Sequence, residues 1–235
     1  MNFAAIMKKG ATIYGVEHCF MSRHCLKEWI PAIEANRKIL HLKKGELLFT
    51  EGEEMKGMYF VYSGLVKVHK QWGDDKELII RFAKQGDIVG HRGLGADRDY
   101  PVSATALEKS DICFVSLEFF NATLKVNHEF LYILLLFFAE ELKISERRMR
   151  NLAHMPVKGR VAQTLLMLQT KFGTTETGEI NVSLARQDLA SYAGTTYETV
   201  FRMINELTED GAVTVEGKGI KILDEGKLRE LVQVG

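Results

Sequence analysis

The stretch from Arg186 to Leu207, RQDLASYAGTTYETVFRMINEL, carries side chains that could form hydrogen bonds with a nucleic acid. Glu198 and Arg202 are four residues apart, so a helix would place a carboxylate and a guanidinium on one face. An arginine can donate two hydrogen bonds to a guanine, and a carboxylate can accept one from a cytosine amine. These residue types at this spacing are suited to reading base edges.

The apolar residues of the same stretch predict two short helices joined by a sharp turn. They recur at the spacing of a helix with one buried face, at Leu189, Ala190, Ala193, Val200, Met203 and Ile204. Gly194 interrupts the pattern where a left-handed backbone would turn the chain, and Thr195 or Thr196 follows as the candidate N-cap. We interpret the stretch as a helix-turn-helix; the alternative is a helical hairpin that only packs.

Cys19, Cys25 and Cys113 are candidate metal ligands or redox-active thiols. Their odd number, in a chain without the framework of a small secreted protein, indicates reduced thiols or metal ligation rather than disulfides. The simpler alternative is three unrelated buried thiols, since free cysteine is among the most buried residue types.

Length and composition predict a globular chain of two domains, because 235 residues with 46% hydrophobic content can bury a sizeable core. The longest apolar run, FLYILLLFF, is about half of the ~20 residues needed to cross a bilayer. The first residues lack the extended apolar core of a signal peptide. We therefore expect a cytoplasmic protein without a membrane partner.

The charge balance does not by itself indicate nucleic-acid binding. The whole chain has a net charge of zero, and residues 157–235 contain nine Lys and Arg against eleven Asp and Glu, a net of −2. A DNA-binding domain usually has the opposite balance. Contacts with DNA would then need locally placed cations, and the candidates are Arg147, Arg148, Arg150, Lys158, Arg160, Arg202, Lys218 and Lys221.

Between Leu40 and Val115 the sequence predicts a domain of short strands. Segments such as MYFVYSG, LVKVHK and ELIIRF alternate with glycine turns at the spacing of a sandwich or jelly-roll barrel. Further along the chain, EINVSL is also strand-like, and AVTVEGKGIKIL predicts a β-hairpin with its tip at residues 217–219, a wing beside the helix-turn-helix.

A long helix is predicted from Asn127 to Ala153, ending before Pro156, which breaks the helix and makes a hinge. Its apolar seam favours a two-fold coiled coil rather than a helix buried by its own domain. The predicted dimer interface is Leu131, Leu135, Phe138, Leu142, Ser145, Met149 and Leu152.

The predicted architecture is α+β, in four parts. Residues 1–38 form an N-terminal segment with Cys19 and Cys25, and residues 39–126 form a β jelly-roll sensor barrel. Residues 127–153 form the dimerisation helix, and residues 154–235 form a winged helix-turn-helix domain. No phosphate-cradling glycine loop, nucleophile–base pair or paired carboxylates indicate an enzyme.

This architecture resembles the CRP/FNR family of bacterial transcription regulators over nearly the whole chain, from Lys43 to Leu231. The most specific motifs are KKGELLFTEGEEMKGMYFVYSGLVKV, GDIVG, NLAHMPVKGRVAQTLL and RQDLASYAGTTYETVFRMINEL. The resemblance implies a barrel like a cyclic-nucleotide-binding domain and a homodimer that binds double-stranded DNA at an inverted-repeat promoter site. RNA polymerase is then an expected partner. A sensing module that acts through protein partners without DNA remains the alternative.

The resemblance also implies which residues contact DNA. In the family, the residues matching Glu198 and Arg202 read base edges. Tyr197 stands where cyclic-AMP-binding members have a second guanine-reading arginine, and Phe201 stands where oxygen-sensing members have a serine. The expected DNA-binding residues are Arg186, Thr196, Tyr197, Glu198, Phe201, Arg202 and Lys218.

The effector expected from the resemblance is not cyclic AMP. Family members that bind cyclic AMP use an acid for the ribose and an Arg-Ser pair for the phosphate, and these positions fall on His91 and on Pro101–Val102. A buried phosphate without such partners is costly, and neither Arg92 nor Arg98, which could replace the arginine, stands at the matching position. The candidate effector pocket is Gly90, His91, Arg92, Gly93, Pro101, Val102 and Ser145, with His91 as an axial ligand if the group were haem.

Oxygen-sensing members of the family hold an iron–sulfur cluster with four cysteines, and the three cysteines of this chain fall on three of those positions. The fourth position falls on Val16, and Glu17 or His18 could replace it, since such centres accept imidazole or carboxylate ligands. The resemblance therefore leaves open a redox, oxygen or nitric oxide signal through an iron–sulfur cluster or another metal.

Overall fold

The structure is a computed structural model that describes residues 19–73 and 76–233. They fall into two compact units: residues 19–68 with 82–135, and residues 69–73 and 76–81 with 136–233. The division therefore runs through the long helix and through a β-hairpin. The four predicted domain ranges follow other boundaries and stay predictions from the sequence.

The β-domain is built from eight strands in two four-stranded sheets. The first sheet has the order β1-β8-β3-β6 and the second β2-β7-β4-β5, and β8 pairs antiparallel with both β1 and β3. At the centre of the first sheet β3 is almost wholly buried, with Phe60 opposite Cys113. The strands are β1 Arg37–Leu42, β2 Leu47–Phe49, β3 Gly57–Ser63, β4 Val66–Trp72, β5 Lys76–Ala83, β6 Ile88–Val89, β7 Ser103–Ala106 and β8 Ser110–Ser116.

Short helices cover one end of the first unit. They are α1 Phe20–His24, α2 Ile30–Asn36 and α3 Leu117–Val126, with a 3-10 turn at Lys27–Trp29. The Trp29 indole donates a hydrogen bond to Thr123 (Nε1 to Oγ1, 3.1 Å), and its ring stacks on Phe119 at 6.2 Å between centroids. These contacts fix the N-terminal helices on α3.

The long helix α4 runs over His128–His154, close to the predicted 127–153. As predicted, the helix ends before Pro156, whose missing N–H and fixed φ suit its observed place as the N-cap of α5. Among the described residues no single helix is long and apolar enough for a membrane span; only α3 and α4 together, bent by 111°, pass that test.

The rest of the second unit is a small helical domain with a β-hairpin. After α5 Val157–Phe172 come α6 Arg186–Ala193 and α7 Tyr197–Glu209, then the antiparallel strands β9 Val213–Glu216 and β10 Gly219–Ile222, and finally α8 Glu225–Gln233. The six apolar residues that predicted the helix pair are all buried. The helix-turn-helix and the wing therefore form as predicted.

The strand predicted at EINVSL is wrong, because this segment makes only single bridges. Glu179 pairs with Lys221, and Ile180 pairs with Thr174. The amide of Asn181 donates to the Gly173 carbonyl (3.0 Å) and makes the bridge to Thr174, but the amide of Val182 then donates to the Ile180 carbonyl (2.7 Å), a turn that ends the pairing.

The turn between α6 and α7 is set by Gly194. Its backbone is left-handed (φ 65°, ψ 46°), and a Cβ built there would lie 2.4 Å from Cδ2 of Leu152. Of the two predicted N-caps, Thr196 is the one used, because its hydroxyl accepts a hydrogen bond from the amide of Thr199 at 3.3 Å. The Gly194 turn and the Thr196 cap together fix the direction of α7 relative to α6.

We expect Gly194→Ala to destabilise the second unit by about 1–2 kcal/mol from the left-handed backbone, and by about 1–3 kcal/mol more from the collision with Leu152. Gly217→Ala is the matched control, since Gly217 also has positive φ (58°) but nothing within 4 Å of its added Cβ. The free energies of unfolding from urea denaturation test this. Equal losses for the two variants would contradict the close packing at Gly194.

Candidate nucleic-acid interface and sensor site

Helix α7 has one buried face and one exposed face. Val200, Met203, Ile204 and Leu207 are buried in the domain core. On the other side, Tyr197 is 45% and Phe201 52% exposed, and Glu198 and Arg202 are also exposed. The structure thus brings together, on one solvent-exposed surface, the four α7 side chains that the sequence predicted to touch DNA.

The wing lies next to the start of α6. Lys218 is exposed at the tip of the β9–β10 hairpin, and its carbonyl accepts a hydrogen bond from the Arg186 guanidinium (Nη1, 3.5 Å). Burial lowers the pKa of Arg186, which still leaves the guanidinium charged at neutral pH. Arg186 therefore positions the wing as well as standing close to the predicted DNA surface.

Two cations counted as candidate DNA contacts are already paired with other groups of the chain. Lys158 pairs with Asp210 at 2.8 Å and with Glu206 at 3.3 Å, and Lys221 donates to the Thr177 carbonyl at 2.9 Å. These contacts concentrate the exposed positive charge of the predicted surface on Arg202 and Lys218.

Arg160 of α5 has a role that sequence reasoning missed. Its guanidinium donates to the carbonyls of Met155 (2.9 Å), Ala193 (2.9 Å) and Gly194 (3.2 Å). It thus holds the backbone of the turn between the two helices. The sequence shows a cation at this position, but carbonyl partners leave no trace in the sequence.

The predicted sensor residues lie against an aromatic cluster in the first unit. The 3-10 turn His91–Gly93 follows Gly90, and a Cβ at Gly90 would lie 3.2 Å from the Tyr59 ring and 3.3 Å from Tyr100. Phe49 stacks on Tyr100 at 3.9 Å between centroids. His91 and Val102 are buried and Pro101 is exposed, whereas Ser145 lies on α4 in the second unit.

The three rings themselves offer no positive charge to a phosphate; the guanidinium of Arg92 belongs to the adjoining turn His91–Gly93. Burial raises the pKa values of Tyr59 and Tyr100, so both phenols are neutral at physiological pH. The Tyr100 hydroxyl already donates to the Gly57 carbonyl at 2.8 Å. Sequence reasoning missed the cluster because its rings come from three separate segments, β2, β3 and the loop before β7, and aromatic residues are ordinary in a β-core.

The structure places Cys19 and Cys113 together in the core of the first unit. Both are fully buried, and the interaction between the two neighbouring thiols lowers the pKa of Cys19 to about 7 and raises that of Cys113. Burial raises the pKa of Cys25 to about 12. Cys19 is therefore the most readily ionised thiol of the three, and ionisation is what metal binding and redox chemistry require.

These thiols do not make up a ligand set for a cluster or zinc within the described part of the chain. No group of three His, Cys, Asp or Glu side chains there is placed to hold a metal ion. The proposed fourth ligands, Glu17 and His18, lie outside the described residues. The metal site therefore stays a prediction from the sequence.

The predicted dimer seam of α4 is largely uncovered in the protomer. Leu131, Leu135, Leu142 and Met149 are exposed, and Phe138, Ser145 and Leu152 are half-buried. The side chain of Leu152 also rests against the turn at Gly194. An apolar stripe of this kind on a long helix is what a partner helix would cover.

Two protein families match separate parts of the chain. Residues 39–127 match the cyclic nucleotide-binding domain, and residues 159–231 match the Crp-like helix-turn-helix domain. The anaerobic regulatory protein of Bacillus subtilis (strain 168) is 28% identical over 201 residues, 84% of this chain and 83% of that protein. The cAMP-activated global transcriptional regulator CRP of Escherichia coli O6:H1 is 31% identical over 180 residues, 74% of this chain and 84% of that protein. The chain belongs to the CRP/FNR family of transcription regulators.

A solved structure agrees at the level of the fold. FixK2 from Bradyrhizobium japonicum is similar with a TM-score of 0.76 at 24% identity, covering 85% of this chain and 98% of that one. The predicted fold and the predicted family are thereby confirmed. As a CRP/FNR regulator, the chain carries a helix-turn-helix DNA-binding domain, and its relatives are regulators rather than enzymes. The individual DNA-binding, sensor and dimer residues stay predictions.

We expect cyclic AMP not to stabilise this family member, because neutral aromatic rings stand beside the residues where its phosphate would need cations. A ligand at about 100 times its Kd would stabilise the folded state by about 2.7 kcal/mol. Thermal unfolding with and without millimolar cyclic AMP is the measurement, and the E. coli relative, whose name describes it as cAMP-activated, is the positive control. A Tm rise comparable to that of the control would contradict this reading of the barrel.

Proposed function

We propose that this regulator works as a homodimer that reads an inverted-repeat promoter site through α7, with RNA polymerase as its partner at the promoter. The observation that carries the proposal is the exposed face of α7, with Glu198, Arg202, Tyr197 and Phe201 pointing to solvent beside Lys218 of the wing. The parts of β4 and β5 at residues 69–73 and 76–81 belong to the same compact unit as this α7 surface.

Arg202 and Glu198 form the base-reading pair of the proposal. The guanidinium can donate to O6 and N7 of a guanine, while the carboxylate accepts from a cytosine amine and orients the arginine. Tyr197 and Phe201 present exposed aromatic rings on the same face, and such rings suit the methyl groups of thymines. We therefore expect one G·C pair per half-site, with A·T-rich neighbours.

The apolar stripe of α4 supports a two-fold dimer, and such a dimer would bind a symmetric DNA site. Leu135, Leu142 and Met149 are each at least 60% exposed in the protomer. Pairing two such helices buries the stripe, and two-fold symmetry places two copies of α7 about one helical turn of DNA apart. The expected operator is thus an inverted repeat.

The signal sensed by the barrel is proposed to be something other than cyclic AMP. The neutral aromatic cluster at Tyr59 and Tyr100 supports this part, and the thiol contact between Cys19 and Cys113 supports a redox signal in the cytoplasm. The ultraviolet–visible spectrum and metal content of protein purified without oxygen test whether a metal centre carries that signal. Iron with sulfide, or zinc, supports a metal centre, whereas colourless metal-free protein would leave the three cysteines as ordinary thiols.

Arg202→Ala should cost roughly 1–3 kcal/mol at the G·C position and remove the preference there, because the donor to guanine is lost. Lys218→Ala should weaken binding to all sequences alike and reduce the salt slope by about one, since it removes one phosphate contact. Selection from random duplexes, followed by affinity measurements at several salt concentrations, tests both variants.

The two variants serve as controls for each other, because each removes one cation. A selected site whose base preferences survive Arg202→Ala would mean that α7 does not read bases. Selection that recovers no inverted repeat from wild-type protein would overturn the proposed site altogether.

Leu142→Glu should raise the dissociation constant of the dimer by about tenfold or more, because it places like charges at a desolvated two-fold contact. Leu136→Glu is the matched control: Leu136 is 47% exposed on the same helix but points away from the seam. Sedimentation equilibrium measures both dissociation constants. A Leu142→Glu protein that stays fully dimeric would show that this seam is not the dimer interface.

A further inference from the structure

Arg148 of α4 connects two other elements of the second unit. Its guanidinium donates to the carbonyls of Ile79 (3.0 Å) and Ile80 in β5, and to the carbonyl of Tyr192 in α6 (3.0 Å). The guanidinium carbon also lies 4.2 Å from the centroid of the Tyr192 ring. One side chain thus holds a strand and the first helix of the helix-turn-helix to α4.

The geometry of the side chain makes this role specific to arginine. The guanidinium has several N–H donors in a fixed planar fork and stacks on aromatic faces, whereas a lysine ammonium is a compact point charge. β5 is the last strand in the order β2-β7-β4-β5, so donors from outside the sheet can reach its backbone.

A second contact between β5 and α4 lies two helical turns before Arg148. The Arg81 guanidinium of β5 lies 3.8 Å from the Glu141 carboxylate (Nε to Oε1) and over the Phe137 ring at 5.4 Å. Glu141 and Arg148 are two helical turns apart, so they lie on one face of α4. That face therefore contacts β5 at two places, through Glu141 and through Arg148.

The α6 end of the contact lies at the turn that aims α7. Tyr192 precedes Ala193 and Gly194, whose carbonyls are held by Arg160. A shift of the Tyr192 backbone would therefore move the turn and the helix that follows it. The contact also leaves the α7 surface uncovered, with Tyr197 and Phe201 exposed, so it supports the DNA-reading arrangement and does not mask it.

We propose that Arg148 is a positioning residue that couples β5 to the placement of the helix-turn-helix, so that movement of β5 changes DNA affinity. The inference rests on the DNA reading by α7 proposed above. Arg148 itself contacts backbone carbonyls and an aromatic ring of the protein. Base recognition therefore stays with the side chains of α7.

The test combines DNA affinity with hydrogen exchange of the β5 amides. Arg148→Ala should lower affinity for the wild-type operator by about tenfold, with base preference unchanged, because α7 keeps its side chains but loses its fixed position. In wild-type protein, DNA should slow exchange in β5 by about threefold or more. In Arg148→Ala that response should vanish, while DNA still slows exchange in α7.

Two variants separate coupling from charge and from simple loss of stability. Lys143→Ala removes the same charge from an exposed position of the same helix that is not among the candidate DNA contacts, and should keep the β5 response. Arg148→Lys keeps the charge but cannot bond to β5 and α6 at the same time, so it should behave like Arg148→Ala. If Arg148→Ala does not fold, the same measurements on Arg148→Lys replace it.

Three outcomes would overturn the inference: a β5 response that persists in Arg148→Ala, one that Arg148→Lys restores fully, or none in DNA-bound wild-type protein. Wild-type protein that binds no DNA would instead refute the proposed function.

Discussion

The carbonyl oxygens at the end of α6 need hydrogen-bond donors, and two arginines supply them. A helix ends with carbonyls that have no partner within the helix and with a partial negative charge, which favours cations there. Arg148 from α4 takes the Tyr192 carbonyl, and Arg160 from α5 takes those of Ala193 and Gly194. The angle between α6 and α7, and so the direction of the exposed face of α7, depends on these contacts.

The same kind of physical reasoning underlies the proposal that the barrel senses something other than cyclic AMP. A family match to a cyclic nucleotide-binding domain establishes the fold of residues 39–127, but recognition of a phosphate needs cations or N–H donors at the right place. Here two neutral phenols and a phenylalanine stand beside Gly90 and Gly93. Family membership and ligand identity are thus decided by different residues, the first by core pattern and the second by a few polar groups.

Much of the fold could be predicted because it rests on local patterns. The helix pair follows from apolar spacing, its turn from Gly194, and the end of α4 from Pro156. EINVSL shows the limit: its residues suit a strand, but the partner it needs lies elsewhere in the chain and offers only a single bridge. Local pattern describes a segment, whereas strand pairing is a property of two segments.

The candidate site was predictable where a side chain acts alone and unpredictable where it acts through a partner. Exposed Arg202 and Glu198 follow from helical spacing, but the carbonyl partners of Arg148 and Arg160 have no side-chain signature, so both arginines were counted as surface charge. The contact of Cys19 with Cys113 likewise joins residues far apart in the sequence.

The central claim is that two copies of α7 read one guanine each across a two-fold axis. Dimethyl sulfate protection of the bound operator tests it most directly, because this reagent methylates guanine N7, an acceptor that Arg202 would cover. We expect one strongly protected guanine in each half-site, the two related by the symmetry of the inverted repeat and about one helical turn apart. Binding without protection of guanine N7, or protection in only one half-site, would contradict it.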